Sequence, residues 1–184
     1  MIQCVASEVF QMSLFHTHPL FQTFLEENDA IIQTATFQEL HKFHQHLHTS
    51  RFDHSLNVAF LVFLKTRNSP IYKDAMIGAL CHDLFIYNHY ETCESKWKHL
   101  FEHPKAALNT TKSVYELSSI SENMILSHMW PLSSVAPKSK SAWWLVMMDK
   151  IASLYEIYTQ INIRSLQFRP LLALFGVAVL VHQL

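Results

Sequence analysis

The sequence predicts an all-α fold, organised as one helical bundle with a metal site in a central cleft. Of the 184 residues, 49% are hydrophobic, which is enough for a single domain with a sizeable core. The chain contains only two Gly and six Pro, so it lacks the turn residues that an all-β fold needs. Several long stretches repeat their apolar residues at helical spacing. Together these observations favour helices packed around one core.

The chain divides by pattern into three parts of one structural domain. Residues 1–36 are predicted to be an N-terminal helical scaffold, in which apolar clusters at Phe21 to Leu25 and Ile31 to Leu40 favour helices. Residues 37–160 form the domain that carries the candidate site. Residues 161–184 are predicted to be a C-terminal apolar helix that packs in the core or in the interface of a homodimer.

The apolar run in this C-terminal part, Leu171 to Val181, is too short to cross a membrane. Its eleven residues would reach about 16 Å as a helix, whereas the hydrocarbon core is about 30 Å thick. We therefore expect no transmembrane segment. A final core helix, a dimer interface and shallow membrane association remain as alternative uses of this run.

Charge and cysteine content limit the partners and the compartment. The net charge of −1 gives no basic surface of the kind that nucleic-acid binding needs. Cys4, Cys81 and Cys93 show no CxxC spacing, so a disulfide framework is not expected and a reducing compartment is favoured. The N-terminal stretch MIQCVASEVFQMSLF has no basic region before a clean apolar run, which argues against a cleaved signal peptide. These features predict a cytoplasmic protein without a nucleic-acid partner.

A histidine-rich stretch, FQELHKFHQHLH, spans residues 37–48. Its spacing favours a helix, and His41 and His44 are then close enough to bind a metal. We favour the simpler interpretation, in which the histidines of this helix are exposed or hydrogen-bonded. Ser50 and Asp53 then resemble a capping box that opens the helix RFDHSLNVAFLVFLKTRN. This places His54 in the first turn of a buried helix.

The adjacent pair His82-Asp83 is the centre of the candidate site. The preceding stretch presents Ala75, Gly78 and Ala79 on one helical face, where small side chains let a neighbouring helix approach closely. His82 is the next position on that face, so we expect the pair near the inner end of a core helix. Neighbouring side chains on a helix point about 100° apart, so both bind one metal only at the wall of a cleft.

Two further histidines lie at predicted helix ends. Pro104 suits the first position of a helix, so His103 is expected at or near its N-cap. Lys105 would then lie beside a helix N-terminus, where anions are favoured. His128 lies close to the helix end that Pro131 sets. Each histidine taken alone also fits a cap or a hydrogen-bonded residue.

Asp149 lies in the strongly apolar stretch AWWLVMMDKIASLYEIY, where it is the lone carboxylate of a hydrophobic run. Its sequence neighbours include Trp144, Leu145, Met148 and Ile151. A carboxylate in such surroundings costs folding free energy unless a cation or hydrogen-bond donors compensate it. The position therefore favours a functional role.

These residues, in this order, resemble the HD-domain superfamily of metal-dependent phosphohydrolases. The subgroup in question has two additional histidines between the His-Asp pair and the last aspartate. The words QHLHTSRFDHSLNVA, ALCHDLFIYNHYE, FEHPKAAL, SHMWPL and MMDKIAS, from Phe37 to Tyr158, resemble small and mostly uncharacterised bacterial HD-domain proteins. Leu47-His48 stands where a Gly-Asn type turn is expected in relatives. Asn88-His89 stands where an acidic residue and a tryptophan are common.

The resemblance implies one or two divalent metal ions, chosen from Fe, Mn, Ni, Co and Zn. The first ion would be held by His54, His82, Asp83 and Asp149, and the second by His103, His128 and the bridging Asp83. In two-metal hydrolases the ions lie about 3.5 to 4 Å apart, and a water between them becomes hydroxide near neutral pH. The predicted substrate is a small phosphorylated metabolite or nucleotide.

The remaining predictions concern the reaction. Asp83 and Arg51 are predicted catalytic residues; Arg51 would orient a phosphate, or is instead a surface arginine of the first turn. Lys105, His89 and Trp130 are further candidates for substrate binding. The same six ligands also suit a mixed-valent di-iron oxygenase. A non-catalytic binding module with a structural metal is the third alternative.

Overall fold

The computed structural model of the chain describes residues 13–87 and 96–160, with the backbone alone for residues 96–100. The predictions for residues 161–184 and for His89 fall outside the described residues. The structure is mostly helical, with 65% helix and 4% strand. This agrees with the predicted all-α class.

The first part of the fold is a series of short elements that leads to a hairpin. Helices α1, α2 and α3 cover Phe21–Glu27, Asp29–Ile32 and Ala35–Gln38, and a 3-10 helix follows at Glu39–Lys42. Strands β1 and β2, His44–His46 and Thr49–Ser50, pair in antiparallel fashion. The larger helices come next: α4 is Arg51–Thr66, α5 is Tyr72–Leu80, α6 is Lys96–Val114, α7 is Ser119–Ser127 and α8 is Lys140–Gln160.

The hairpin corrects the prediction of a continuous histidine-rich helix over residues 37–48. Histidine has a modest helix propensity, and pairing with β2 gives the backbone of β1 another source of hydrogen bonds. The turn between the strands places Leu47 at a φ of 47°, in the left-handed region. This is the position at which the sequence departs from an expected Gly-Asn type turn.

Helix α4 lies at the centre of the core and packs against α5 and α8. Its start is the predicted cap, since the Ser50 hydroxyl accepts a hydrogen bond from the backbone N–H of Asp53 at 3.1 Å. Phe60 on this helix contacts the rings of Phe21 and Phe24, which anchors the N-terminal elements to the bundle. The buried first turn of α4 thus has a fixed position.

Helices α5 and α7 cross closely at Gly78, as the small-residue face predicts. A Cβ placed on Gly78 would lie 2.9 Å from the Cβ of Met124, well inside van der Waals contact. Helix α5 ends at Leu80, however, so His82 and Asp83 lie in the turn after the helix and not at its inner end. A turn lets both side chains face one cleft, which consecutive helical positions make difficult.

Helix α6 corrects the prediction for His103. The helix begins at Lys96 and contains Pro104 in its interior, so His103 is a mid-helix residue and not an N-cap. Lys105 accordingly has no helix N-terminus beside it, and its side chain is exposed. Within the described ranges, no helix has both the length and the apolar content that a membrane crossing requires.

Candidate metal centre

The structure brings the six predicted metal ligands together inside the bundle. They come from α4, the turn after α5, α6, the C-terminal end of α7 and α8, and all six are buried. They fall into two groups, and within each the ligand atoms lie within 4.8 Å of one another: His54, His82 and Asp149, and then Asp83, His103 and His128. Each group could hold a metal ion.

The first group is centred on the carboxylate of Asp149. Its Oδ1 lies 3.2 Å from Nε2 of His54 and 3.9 Å from Nε2 of His82. The prediction that a buried Asp149 needs a compensating partner is thus met by His54. Asp149 also lies 3.7 Å from the ammonium group of Lys150, which donates a hydrogen bond to the carbonyl of His128.

The second group is centred on Asp83. Its Oδ1 lies 3.5 Å from Nε2 of His103 and 3.4 Å from Nε2 of His128. Its Oδ2 lies 3.6 Å from Nε2 of His82, which belongs to the first group. Oδ1 of Asp83 therefore belongs to the group of His103 and His128, while Oδ2 faces His82 of the first group. A carboxylate that bridges two ions needs this arrangement.

Hydrogen bonds on the far side of two histidine rings determine which nitrogen faces the cleft. Nδ1 of His82 donates to the carbonyl of Ala79 at 2.8 Å, and Nδ1 of His128 donates to the carbonyl of Ile125 at 2.7 Å. A carbonyl oxygen only accepts, so Nδ1 carries the proton in both rings. The lone pair of Nε2 is then available to a metal, as in many protein metal sites.

Two polar atoms in the centre are buried and lack a hydrogen-bond partner among the described residues. They are Nε2 of His82 and Oδ1 of Asp83. A buried polar group without a partner costs about 1–3 kcal/mol. Both atoms are metal-ligand atoms, one a neutral imidazole nitrogen and the other a carboxylate oxygen. A divalent ion would satisfy both, so the residues fit a metal.

The charges of the site also favour a cation. Burial acts to raise the pKa of Asp83, but attraction to His82, His103 and His128 outweighs it and holds this pKa well below 3.8. The pKa of Asp149 is likewise lowered, because His54 outweighs the effect of burial. Burial lowers the pKa of His82, whereas neighbouring carboxylates raise the pKa of His54 and of His128 against the effect of burial. Ionised carboxylates and a neutral imidazole are the protonation states in which these groups bind metals.

Glu156 and Asn57, which contact the ligand His54 or each other on the side away from the cleft, were not predicted from the sequence. Glu156 is buried in α8, and its Oε2 accepts a hydrogen bond from Nδ1 of His54 at 3.0 Å. Asp149 is therefore not the lone buried carboxylate of its helix. Glu156 follows Asp149 by two helical turns, and Asn57 follows His54 by one, so both lie on ligand-bearing faces. That spacing is the sequence signal that identifies them.

Arg51 is fully buried, which corrects the alternative of a surface arginine. Its guanidinium lies over the ring of Phe85 at 3.5 Å and donates through Nη1 to the Phe85 carbonyl. Nε donates to Oε1 of Gln45 at 3.3 Å, and Nε2 of Gln45 donates to Oδ2 of Asp83 at 2.6 Å. Burial lowers the pKa of Arg51 to about 10, so the group stays charged at neutral pH.

The other predicted substrate-binding residues differ in their placement. Lys105 is exposed on α6, and its predicted position at a helix N-terminus is wrong. Trp130 is half-buried two residues after His128 and precedes Pro131 through a cis peptide bond. Each lies two residues after a ligand, Lys105 after His103 and Trp130 after His128, so the two candidates differ in exposure and not in sequence distance from the centre.

The fold and the two ligand groups define a helical protein with a buried histidine and aspartate centre that could hold metal ions. Comparisons of the chain with protein-family models, with curated proteins and with solved structures gave no match. The resemblance to HD-domain phosphohydrolases therefore rests on the ordered residues and their flanking words, and it stays a prediction.

Proposed function

We propose that this protein is a metal-dependent phosphohydrolase of the HD type, which acts on a small phosphorylated metabolite or nucleotide. One observation carries the proposal. Two groups of imidazole and carboxylate atoms lie side by side, and the two oxygens of Asp83 face one group each. Hydrolases that cleave phosphate esters with two metals use adjacent sites joined by a shared ligand.

The ligands follow from these groups. His54, His82 and Asp149 would hold one ion, His103 and His128 the other, and Asp83 would contribute to both. When bound, two divalent ions supply a nucleophile from water near neutral pH and neutralise the charge of a phosphoryl group. The protein itself then needs no nucleophilic side chain. Its contribution is to hold the carboxylates ionised, to orient the imidazoles and to shield both from bulk water.

Arg51 is the residue that we propose for orienting the phosphate. It carries a buried positive charge, and among the described residues no carboxylate oxygen lies within ion-pair distance of it. Its Nη2 also lacks a hydrogen-bond partner in the described part of the chain. A guanidinium binds phosphate oxygens through parallel N–H groups, so Nη2 is the atom suited to this contact. The contact of Arg51 with the ring and the carbonyl of Phe85 restrains the position of the guanidinium.

The test is phosphate release without oxygen. Purified protein loaded with Mn²⁺ should release phosphate from one or more members of a panel of phosphomonoesters, phosphodiesters and nucleotides under anaerobic conditions. Asp83→Ala and His82→Ala should abolish the release. Arg51→Lys, which keeps the charge but loses the planar fork, should reduce it by about tenfold or more. Phosphate release that persists in the Asp83 variant would indicate a contaminating phosphatase.

Two results would replace the proposal. Turnover that occurs only with iron, consumes O₂ and shows an Fe(II)/Fe(III) pair by electron paramagnetic resonance would identify a di-iron oxygenase. A protein that binds metal but stays inert with every ester and every plausible ion would identify a binding module with a structural metal. Neither result depends on the other, because O₂ consumption and phosphate release are measured separately.

A further inference from the structure

We propose that Glu156 is a positioning residue of the metal centre, which acts through His54. Glu156 would hold the proton of His54 on Nδ1 and so direct the lone pair of Nε2 to the group of His82 and Asp149. This inference rests on the metal centre of the proposed function and not on the hydrolysis of phosphate. It concerns how tightly the ion beside His54 is bound.

The ring of His54 lies between two buried carboxylates. Oε2 of Glu156 is 3.0 Å from Nδ1, and Oδ1 of Asp149 is 3.2 Å from Nε2. An imidazole that binds a metal is neutral, with one N–H and with one lone pair directed to the metal. One of the two carboxylates therefore accepts the proton of His54, and the other shares its side of the ring with the metal.

The contacts on each side of the His54 ring show which of the two carboxylates accepts its proton. On the Nε2 side, Oδ1 of Asp149 also lies 3.9 Å from Nε2 of His82, a buried atom without a hydrogen-bond partner among the described residues. On the Nδ1 side, Glu156 accepts a second hydrogen bond, from Nδ2 of Asn57 to its Oε1 at 2.9 Å. The Nδ1 side is thus closed by hydrogen bonds, and the open ligand positions are on the Nε2 side.

Asn57 is itself fixed. Its Oδ1 accepts from the hydroxyl of Ser13 at 2.8 Å and from the backbone N–H of Leu14 at 3.1 Å. A backbone N–H only donates, so this contact sets the orientation of the amide and directs Nδ2 to Glu156. A chain of hydrogen bonds therefore runs from Ser13 through Asn57 and Glu156 to His54. Every side chain in it is buried.

Glu156 has one competing role, that of a metal ligand. Glu156, His54 and His46 form a third group whose ligand atoms lie within 4.8 Å of one another. Nε2 of His46, however, lies 3.0 Å from the hydroxyl of Ser153, and both oxygens of Glu156 already accept hydrogen bonds. These atoms are satisfied by protein partners, unlike those of His82 and Asp83. The geometry favours positioning over ligation.

His54 differs in this respect from two other ligands. Nδ1 of His82 and Nδ1 of His128 donate to backbone carbonyls, which are neutral. A carboxylate behind the ring makes imidazole a stronger electron donor than a carbonyl does. Loss of the Glu156 carboxylate should therefore weaken metal binding at the group of His54 and leave metal binding at the group of His128 nearly unchanged.

The experiment is a calorimetric titration of the full chain with Mn²⁺ alone. Glu156→Gln keeps the size of the side chain and removes its charge, and we expect it to weaken one bound equivalent of Mn²⁺ by about 10- to 100-fold. The other equivalent should change less than threefold and so reports that the variant is folded. Glu122→Gln, which removes a carboxylate paired with Lys112 at the surface, is the matched control and should change neither.

A second comparison shows whether Glu156 acts through His54. In a His54→Ala background, Glu156→Gln should cause no further loss of Mn²⁺ affinity, since the ring that it orients is gone. Equal losses in both backgrounds would overturn the inference, as would a Glu156→Gln variant with unchanged affinities. Three equivalents in the wild type, with one missing in Glu156→Gln, would assign Glu156 as a ligand. A wild-type chain that binds no ion would overturn the metal centre itself.

If Glu156→Gln does not fold, Asn57→Ala gives a milder version of the same test. It removes one of the two hydrogen bonds that hold Glu156 and leaves the carboxylate in place. We expect a smaller loss, of about three- to tenfold, in the same equivalent. A loss in the other equivalent instead would contradict the chain of contacts from Asn57 to His54.

Discussion

The Nε2 atoms of His103 and His128 lie 2.9 Å apart, within hydrogen-bond distance, deep inside the bundle. Nδ1 of His128 donates to the carbonyl of Ile125, so Nε2 of His128 carries a lone pair whenever this ring is neutral. Nε2 of His103 must then be the donor in this contact. Both nitrogens also lie within about 3.5 Å of Oδ1 of Asp83. With both rings neutral and no metal bound, a proton of His103 thus lies where the three ligand atoms converge.

This arrangement predicts which substitutions would release the second of the two proposed ions. His128→Ala should remove one equivalent of bound metal and leave the equivalent at His54, because His128 belongs to one group alone. Asp83→Ala should remove the same equivalent and also weaken the other, since Oδ2 of Asp83 faces His82. Metal content measured by mass spectrometry after dialysis checks both. Equal losses in the two variants would argue against a shared Asp83.

A second prediction concerns the helix crossing that supports the His-Asp turn. Gly78→Ala places a Cβ 2.9 Å from the Cβ of Met124, an atom that rotation of the side chain cannot move away. Helices α5 and α7 must separate, and we expect a loss of about 1–3 kcal/mol in the free energy of unfolding. Urea unfolding followed by circular dichroism measures it. Lys73→Ala, on the exposed side of the same helix, should change stability by less than about 0.5 kcal/mol.

The sequence was sufficient for features that depend on local pattern. The cap at Ser50, the close crossing at Gly78 and the end of α7 beside His128 all follow from residue spacing or from a single residue type. Burial of Asp149 next to a compensating group follows from its apolar surroundings. These features need no knowledge of distant contacts, which explains why they could be predicted.

Features that depend on distant contacts could not be predicted. The hairpin at β1 and β2 forms although its histidines are spaced as in a helix, and Gln45 on it reaches Asp83, far along the chain. Proline is common at the first position of a helix, and this preference predicted a helix start at Pro104. Helix α6 begins well before it, so the predicted position of His103 at the N-cap was wrong. The contact of Glu156 with His54 depends on the approach of α8 to α4.

A third prediction follows from the backbone of Leu47. Its φ of 47° costs a residue with a Cβ roughly 1–2 kcal/mol, and its side chain is 56% exposed, so little packing is lost on replacement. Leu47→Gly should therefore stabilise the protein by about 0.5–1 kcal/mol after the entropic cost of glycine. Leu47→Asn should act in the same direction. Leu47→Ala retains the strain and should give no gain in urea unfolding.

A fourth prediction concerns alkaline pH and Tyr72. Burial and the hydrogen bond to Glu27, at 2.7 Å, raise the pKa of Tyr72 above its ordinary value of 10.0. The folded state therefore prefers the neutral phenol, and this contribution is present below pH 10 and lost as the pH rises through the folded pKa. The stability of the wild type should fall more steeply above about pH 10 than that of Tyr72→Phe. Parallel slopes for the two proteins would contradict the assignment, and Tyr155→Phe serves as the control.

The last prediction concerns Gln45, which joins the proposed phosphate-binding residue to the proposed bridging ligand. One end of its amide accepts from Arg51, and the other donates to Oδ2 of Asp83. Gln45→Ala removes both contacts at once. Among the described residues, the Arg51 side chain then loses one of its two hydrogen bonds, and Asp83 loses the amide that donates to its Oδ2. We expect the rate of phosphate release to fall by about tenfold or more.

Coupling between Gln45 and Arg51 provides the sharper measurement. If Gln45 acts partly by orienting Arg51, the double variant Gln45→Ala/Arg51→Lys should lose less activity than the product of the single losses. Binding of inorganic phosphate to the Mn²⁺-loaded protein, measured by calorimetry, should show the same pattern and does not depend on turnover. Fully multiplicative losses in both measurements would mean that Gln45 and Arg51 act independently. The hydrogen bond between them would then have no part in recognising phosphate.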